Sequence, residues 1–200
     1  MGRQTNETRL DNVLDAALKI SVRSGAGAVT LSKVAAESGV AKALIRYHYP
    51  KPEDMLVALA ERWAATGAQT TLHYLATRSG DAEDRIAQTA EAVFDWMDKF
   101  ELLSRFMPTL FQAGQSSQRL LKIQRATLEA GRERIEGLLL ESSRHKKLTP
   151  ARRKVLARSL HSAVIGAALY VIAMNEFKNI APYRESCLAS IRSLLDGSAR

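Results

Sequence analysis

The sequence predicts an all-α fold: a three-helix N-terminal domain containing a helix-turn-helix, then a larger helical domain, with about nine helices in total. Apolar residues recur at helical spacing along almost the whole chain, and glycine and proline cut it into helix-length pieces. No strand-rich segment, internal repeat or low-complexity tract interrupts them. The chain has 200 residues, of which 46% are hydrophobic, enough to build a sizeable buried core.

Leu10, Val13, Leu14, Ala17 and Leu18 share one helical face, and their pattern stops at Gly25-Ala26-Gly27, where glycine can enter left-handed conformations. Thr30 precedes Leu31, Val34 and Ala35, so its hydroxyl is placed to cap a second short helix ending near Gly39. A third short run, Ala41 to Tyr47, closes at Tyr49-Pro50, because proline disfavours helix in the residue before it. Pro52 suits the first position of a long fourth helix, with Glu53 and Asp54 beside its positive dipole end. Leu56, Leu59, Ala60 and Trp63 line that helix's apolar face. The later helices are expected at roughly 52–78, 82–99, 101–113, 117–144, 150–176 and 182–196. Domains are expected over 1–51, with the helix-turn-helix at about 30–50, and over 52–200.

Lys and Arg number 29 against 21 Asp and Glu, a formal charge of +8, which favours polyanionic partners such as DNA or anionic lipid. The single cysteine, Cys187, excludes an intramolecular disulfide and suits a small core residue in a reducing compartment. The opening stretch MGRQTNETRLDN is polar where a secretory signal needs an apolar core, so a cytoplasmic location is expected. Leu160–Met174 contains no charged residue but is shorter than the roughly 20 apolar residues of a membrane span, so a helix buried in protein is expected and no membrane partner.

His48, His73, His145 and His161 form no pair at metal-ligand spacing, so neither a metal nor another cofactor is expected. His145, among Arg144, Lys146 and Lys147, reads as part of a basic cluster ending a helix. No glycine-rich phosphate loop or nucleophile elbow is present, so the chain does not read as an enzyme.

Ala36-Glu37-Ser38-Gly39-Val40 joins two short helices in the layout of a helix-turn-helix. Gly39 permits the sharp turn, Val34, Ala35, Val40 and Leu44 can pack the pair, and the second helix is left available to a major groove. The same spacing also suits an ordinary helical hairpin. Residues 8–63 carry a more specific composite pattern: Val13-Leu14-Asp15-Ala16-Ala17-Leu18 before Gly25, Thr30-Leu31-Ser32-Lys33-Val34-Ala35 before Gly39-Val40, and Tyr47-His48-Tyr49-Pro50 before Glu53-Asp54-Met55-Leu56.

This pattern resembles the N-terminal domain of the TetR family of transcriptional regulators. The resemblance implies a homodimeric repressor bound to double-stranded operator DNA and released by a small-molecule effector held in a variable helical C-terminal domain. Three positions depart from the family pattern. Ala41 stands where Ser or Thr usually opens the recognition helix, Arg46 where tyrosine is common, and Pro52 where a lysine is usual, with Lys51 one residue earlier. Lys42, Ala43, Arg46 and Tyr47 are expected to face the groove, with Thr30, Ser32, His48 and Lys51 nearer phosphates. Lys33 and Arg23 also suit plain solvated surface charges.

Trp63, Phe94, Trp96, Met97, Phe106, Met107, Phe111, His161 and Tyr170 are candidates to line a pocket for an apolar or amphipathic effector. At helical spacing they equally suit a plain core. Leu156, Leu160, Ala163, Ala167, Tyr170 and Met174 form one apolar row of a helix whose second row is His161, Ile165, Ala168 and Ile172. With Leu188 and Ile191 on the following helix the first row is expected at a four-helix dimer interface, though an intramolecular core alone would also explain it. A second reading of the same residues is a helical small-molecule-binding or enzymatic protein with a vestigial DNA-binding motif, which the Ala41 and Pro52 departures would suit.

Overall fold

In the computed structural model residues 6–198 are described; the first five residues of the polar opening stretch, on which the expectation of no export signal rests in part, lie outside them. The described residues form helices and no strand. The chain divides into two compact units, one of residues 1–64 and 102–124, the other of 65–101 and 125–200.

The first unit contains α1 (Asn6–Ser24), a 3-10 turn (Ala26–Ala28), α2 (Leu31–Ser38), α3 (Lys42–His48) and the front half of α4 (Pro52–Thr77). It also takes in α6 (Glu101–Arg105) from Leu102 onward, α7 (Met107–Gly114) and the start of α8 (Gln118–Glu141). Val13, Ala17, Val34, Ile45, Met55, Leu59 and Leu110 are fully enclosed there. Arg62 on α4 donates to Asp11 and Asp15 of α1, both at 2.7 Å, so two carboxylates one turn apart share a single guanidinium.

The stretch 101–113, expected as one helix, is broken at Phe106 into α6 and α7. Pro108 near the start of α7 has no N–H to donate and its ring crowds the preceding turn. The Phe106 N–H accordingly turns back to the Leu103 carbonyl at 3.2 Å, a tighter bond than that of an α-helix.

The second unit holds the rear of α4, α5 (Ala82–Lys99), the rest of α8, α9 (Pro150–Met174) and α10 (Ala181–Ser198). Asp81 caps α5 by accepting the N–H groups of Glu83 and Asp84, while Asp84 accepts that of Asp81, a reciprocal capping box. Thr149 caps α9 and Pro150 opens it, while Asn175 ends it in the left-handed conformation. α9 packs on α10 and α5, burying Leu156, Leu160, Val164, Ala168 and Val171. By length and composition α9 could cross a membrane, and one-third of its most apolar stretch is buried within the protein.

α8 ends at Glu141 rather than at 144, and His145 is no exposed member of a basic cluster: its side chain is fully buried. The Ser142 hydroxyl accepts the N–H groups of Arg144 and His145, which turns the chain inward. There His145 Nε2 donates to the Leu195 carbonyl at 3.1 Å, and Nδ1 lies 3.0 Å from the Ser142 hydroxyl and 3.2 Å from the Glu83 carboxylate. Between α8 and α9 the His161 ring lies so close to Gly131 that a Cβ there would sit 2.5 Å from its Nε2.

Candidate nucleic-acid interface

The local physics of α2 and α3 fixes one surface. Thr30 is extended and its hydroxyl accepts the Lys33 N–H at 3.3 Å, which starts α2. Gly39 ends it with φ 68°, where a Cβ would be strained, and its N–H returns to the Ala35 carbonyl. Ala41 then opens α3 with no side-chain cap. Ile45, fully buried, anchors α3, with Leu44 half-buried beside it. Leu44 is the packing residue expected from the sequence, whereas Ile45 is the one enclosed; the four-residue spacing Ala41, Ile45, Tyr49 is the signal for it.

With Ile45 inside, Ala43 and Tyr47 fall on the opposite side and Lys42 and Arg46 on the flank; all four are exposed, Tyr47 by 80%. The Tyr47 ring rests edge-on against His48, 5.0 Å between centroids, and His48 itself is half-buried. Lys42 Nζ donates to the Ser32 hydroxyl at 2.8 Å, tying the start of α3 to the first turn of α2. Thr30, Ser32 and Lys51 are exposed. Lys33 is exposed and Arg23 pairs loosely with Glu37 at 3.7 Å. Behind α3, burial pushes the Tyr49 hydroxyl pKa up, against an opposing pull from Arg62.

Over residues 13–59 the chain matches the sequence model of the bacterial regulatory proteins of the tetR family. This segment is similar to the N-terminal domain of that family. The fold beyond it is also that of TetR-type regulators. A TetR-like transcriptional regulator from Rhodococcus sp. RHA1 superposes with a TM-score of 0.79 at 16% identity, covering 98% of this chain and 100% of that one. A regulator from Saccharomonospora viridis, solved with choline, gives 0.78 at 17% identity over 94% and 97% of the two chains. The SmeT–triclosan complex gives 0.73 at 21% identity over 93% and 90%. At these identities the likeness is one of fold. No curated protein matches by sequence.

The remaining candidate residues separate between the units. Trp63, Phe106 and Met107 are buried and Phe111 half-buried in the first; Phe94, Trp96 and Met97 are buried and His161 half-buried in the second. The Trp96 indole donates to Thr66 at 3.0 Å. Tyr170 is 65% exposed, so it lies on the surface of the second unit instead of lining an interior. Leu160 and Ile191, expected at the interface, are sealed inside their own unit, and Leu156 nearly so. They support the outer surface from beneath and offer none themselves.

That outer surface of α9 carries Val155, Ser162, Gly166, Tyr170 and Met174, with Ala163 and Ala167 at its edge, and Leu188 half-buried on α10. An open groove of roughly 460 Å³ continues it, floored by Leu148, Leu156 and Leu194 and rimmed by Arg152 and Ser193. Among the described residues no group of His, Cys, Asp and Glu comes together that could hold a metal.

Proposed function

We propose that the chain is a sequence-specific DNA-binding transcriptional repressor, acting as a homodimer and released from its operator by a small apolar or amphipathic effector. The observation that carries the DNA reading is the exposure of Lys42, Ala43, Arg46 and Tyr47 on α3 while Ile45 anchors the helix from behind. A helix held from behind in this way can enter a major groove side-chains first. Arg46 offers a bidentate fork to a guanine, Lys42 a point charge, Ala43 a methyl to thymine and Tyr47 a hydroxyl. Thr30, Ser32, His48 and Lys51 stand where phosphate contacts fix the register.

Support for an effector comes from the fold relatives solved with triclosan and with choline. Phe94, Trp96 and Met97, buried within the second unit, are side chains of the kind such ligands need. Homodimerisation is supported by the uncharged, partly apolar outer row of α9, in which Tyr170 and Met174 stand exposed. In this mechanism effector and DNA oppose each other through a single coupling free energy. A ligand that weakens operator affinity tenfold must bind tenfold less tightly to the DNA complex.

The test is binding to the duplex upstream of the chain's own gene against a scrambled duplex at near-physiological salt, where non-specific affinity is only ~10⁻⁴ to 10⁻⁶ M. A preference of about a thousandfold or more establishes the regulator. Equal weak binding to both, and to duplexes drawn from a random pool, overturns it.

A further inference from the structure

The acidic pair at the start of α4 is gripped by the start of α8. Arg119 donates to Asp54 Oδ1 at 2.7 Å and lies 3.9 Å from Glu53, while the Ser117 hydroxyl donates to the Glu53 carboxylate. Ser117 also accepts the Leu120 N–H at 3.3 Å, so the same hydroxyl opens α8. All these residues belong to the first unit.

Asp54 has a second task. Its Oδ2 accepts the backbone N–H of Lys51 at 2.8 Å, while its own N–H donates to the Lys51 carbonyl at 3.0 Å. With Oδ1 filled by Arg119 and Oδ2 by Lys51, the carboxylate is held at both ends against the Lys51 amide. Pro52 limits the backbone of Lys51 from the other side, because the residue before proline is confined to extended conformations. The hydrogen bond from Arg119 also holds the Asp54 carboxyl below its ordinary pKa, so it stays ionised.

We propose that Arg119 is a positioning residue for DNA binding: acting through Asp54, it fixes the turn that presents Lys51 to a phosphate. This rests on the DNA-binding reading above. It gives the Pro52 departure a role, since proline and the doubly held carboxylate preorganise the backbone from which the shifted lysine projects. Arg119 lies 65 positions beyond Asp54, and nothing in the N-terminal motif announces it.

The experiment takes a duplex that the wild-type chain selects from a random pool and measures affinity across several salt concentrations for Lys51→Ala, Asp54→Ala, Arg119→Ala and the doubles with Lys51→Ala. Circular dichroism and thermal melting check that each variant is folded. Lys51→Ala is expected to lose about tenfold in affinity and to flatten the salt slope by about 0.9 per bound subunit. Arg119→Ala and Asp54→Ala are expected to reproduce that loss and to add nothing further when Lys51 is already alanine.

Asp54→Ala gives the discriminating sign. It removes a negative charge, so charge alone makes it bind DNA more tightly, whereas loss of positioning makes it bind less tightly. Wild-type affinity or better for Asp54→Ala, losses that add to that of Lys51→Ala, or a silent Lys51→Ala each overturn the proposal while leaving the regulator reading intact. A wild-type chain that enriches no duplex defeats both.

Discussion

Lys42 and Ser32, ten positions apart, are joined across 2.8 Å, so the residue that opens α3 is held by the first turn of α2. The pair is exposed, and exposed pairs of this kind contribute less than about 1 kcal/mol to stability. Its consequence is therefore read in binding. Lys42→Ala should leave thermal unfolding nearly unchanged while weakening operator affinity and flattening its salt dependence. Ser32→Ala should weaken affinity less, and the double variant should lose less than the two single losses added together in a filter-binding or fluorescence titration.

Arg46 stands exposed on the outer side of α3. Arg46→Ala should cost about 1–3 kcal/mol of operator binding, a loss concentrated at one base position. A panel of duplexes, each substituted at one base pair, reads this directly. Affinity that falls equally on every duplex would assign Arg46 to a phosphate, and unchanged affinity would remove it from the interface.

The fold and the α2–α3 surface are legible in the sequence to different depths. Breaks marked by local chemistry stand where the residues announce them: Gly25 and Gly39 with positive φ, the Thr30 cap, and Pro52 at a helix start. These depend on residues within a turn of one another. What the sequence concealed depends on partners far along the chain. His145 sits among Arg144, Lys146 and Lys147 and reads as surface, yet Glu83 and Leu195 lie opposite its ring and enclose it. Arg119 reads as one more helix charge until Asp54 is beside it. Leu160 and Ile191 show the complementary difficulty: apolar rows on two sides of a helix do not reveal which side faces its own neighbours.

Gly166 and Tyr170 lie on the exposed, uncharged row of α9. If that row meets a second copy, Tyr170→Glu should shift sedimentation from dimer to monomer while leaving helicity intact, since the substituted position is open to solvent in the single chain. A variant that remains dimeric would place the interface elsewhere.

Burial holds the His161 pKa below its ordinary value, and Arg132 and Arg134 add to the effect by repelling a positive imidazole. The unfolded chain therefore binds a proton more readily than the folded one. The stability this contributes is fully present above the unfolded value of about 6.5 and is lost as pH falls from there towards the lower folded value. His161→Asn should flatten the fall in thermal stability between neutral and mildly acid pH. An unaltered profile would show that other groups set it.

Cys187 is buried on α10, and burial pushes its thiol pKa up to about 11. At pH 8 the thiolate is scarce, so a maleimide or disulfide reagent should label the native protein slowly and the urea-unfolded protein fast. Rapid native labelling would mean that α10 opens readily.

The close fit of His161 against Gly131 also reaches beyond the single molecule. Because a methyl group at 131 and an imidazole at 161 claim the same space, the two positions are bound to one another through descent. A lineage that gives up the histidine first can then accept alanine on α8 with no displacement, whereas the opposite order requires the imidazole to move aside. Paired change at these two sites, in that order, is the historical trace this contact should leave.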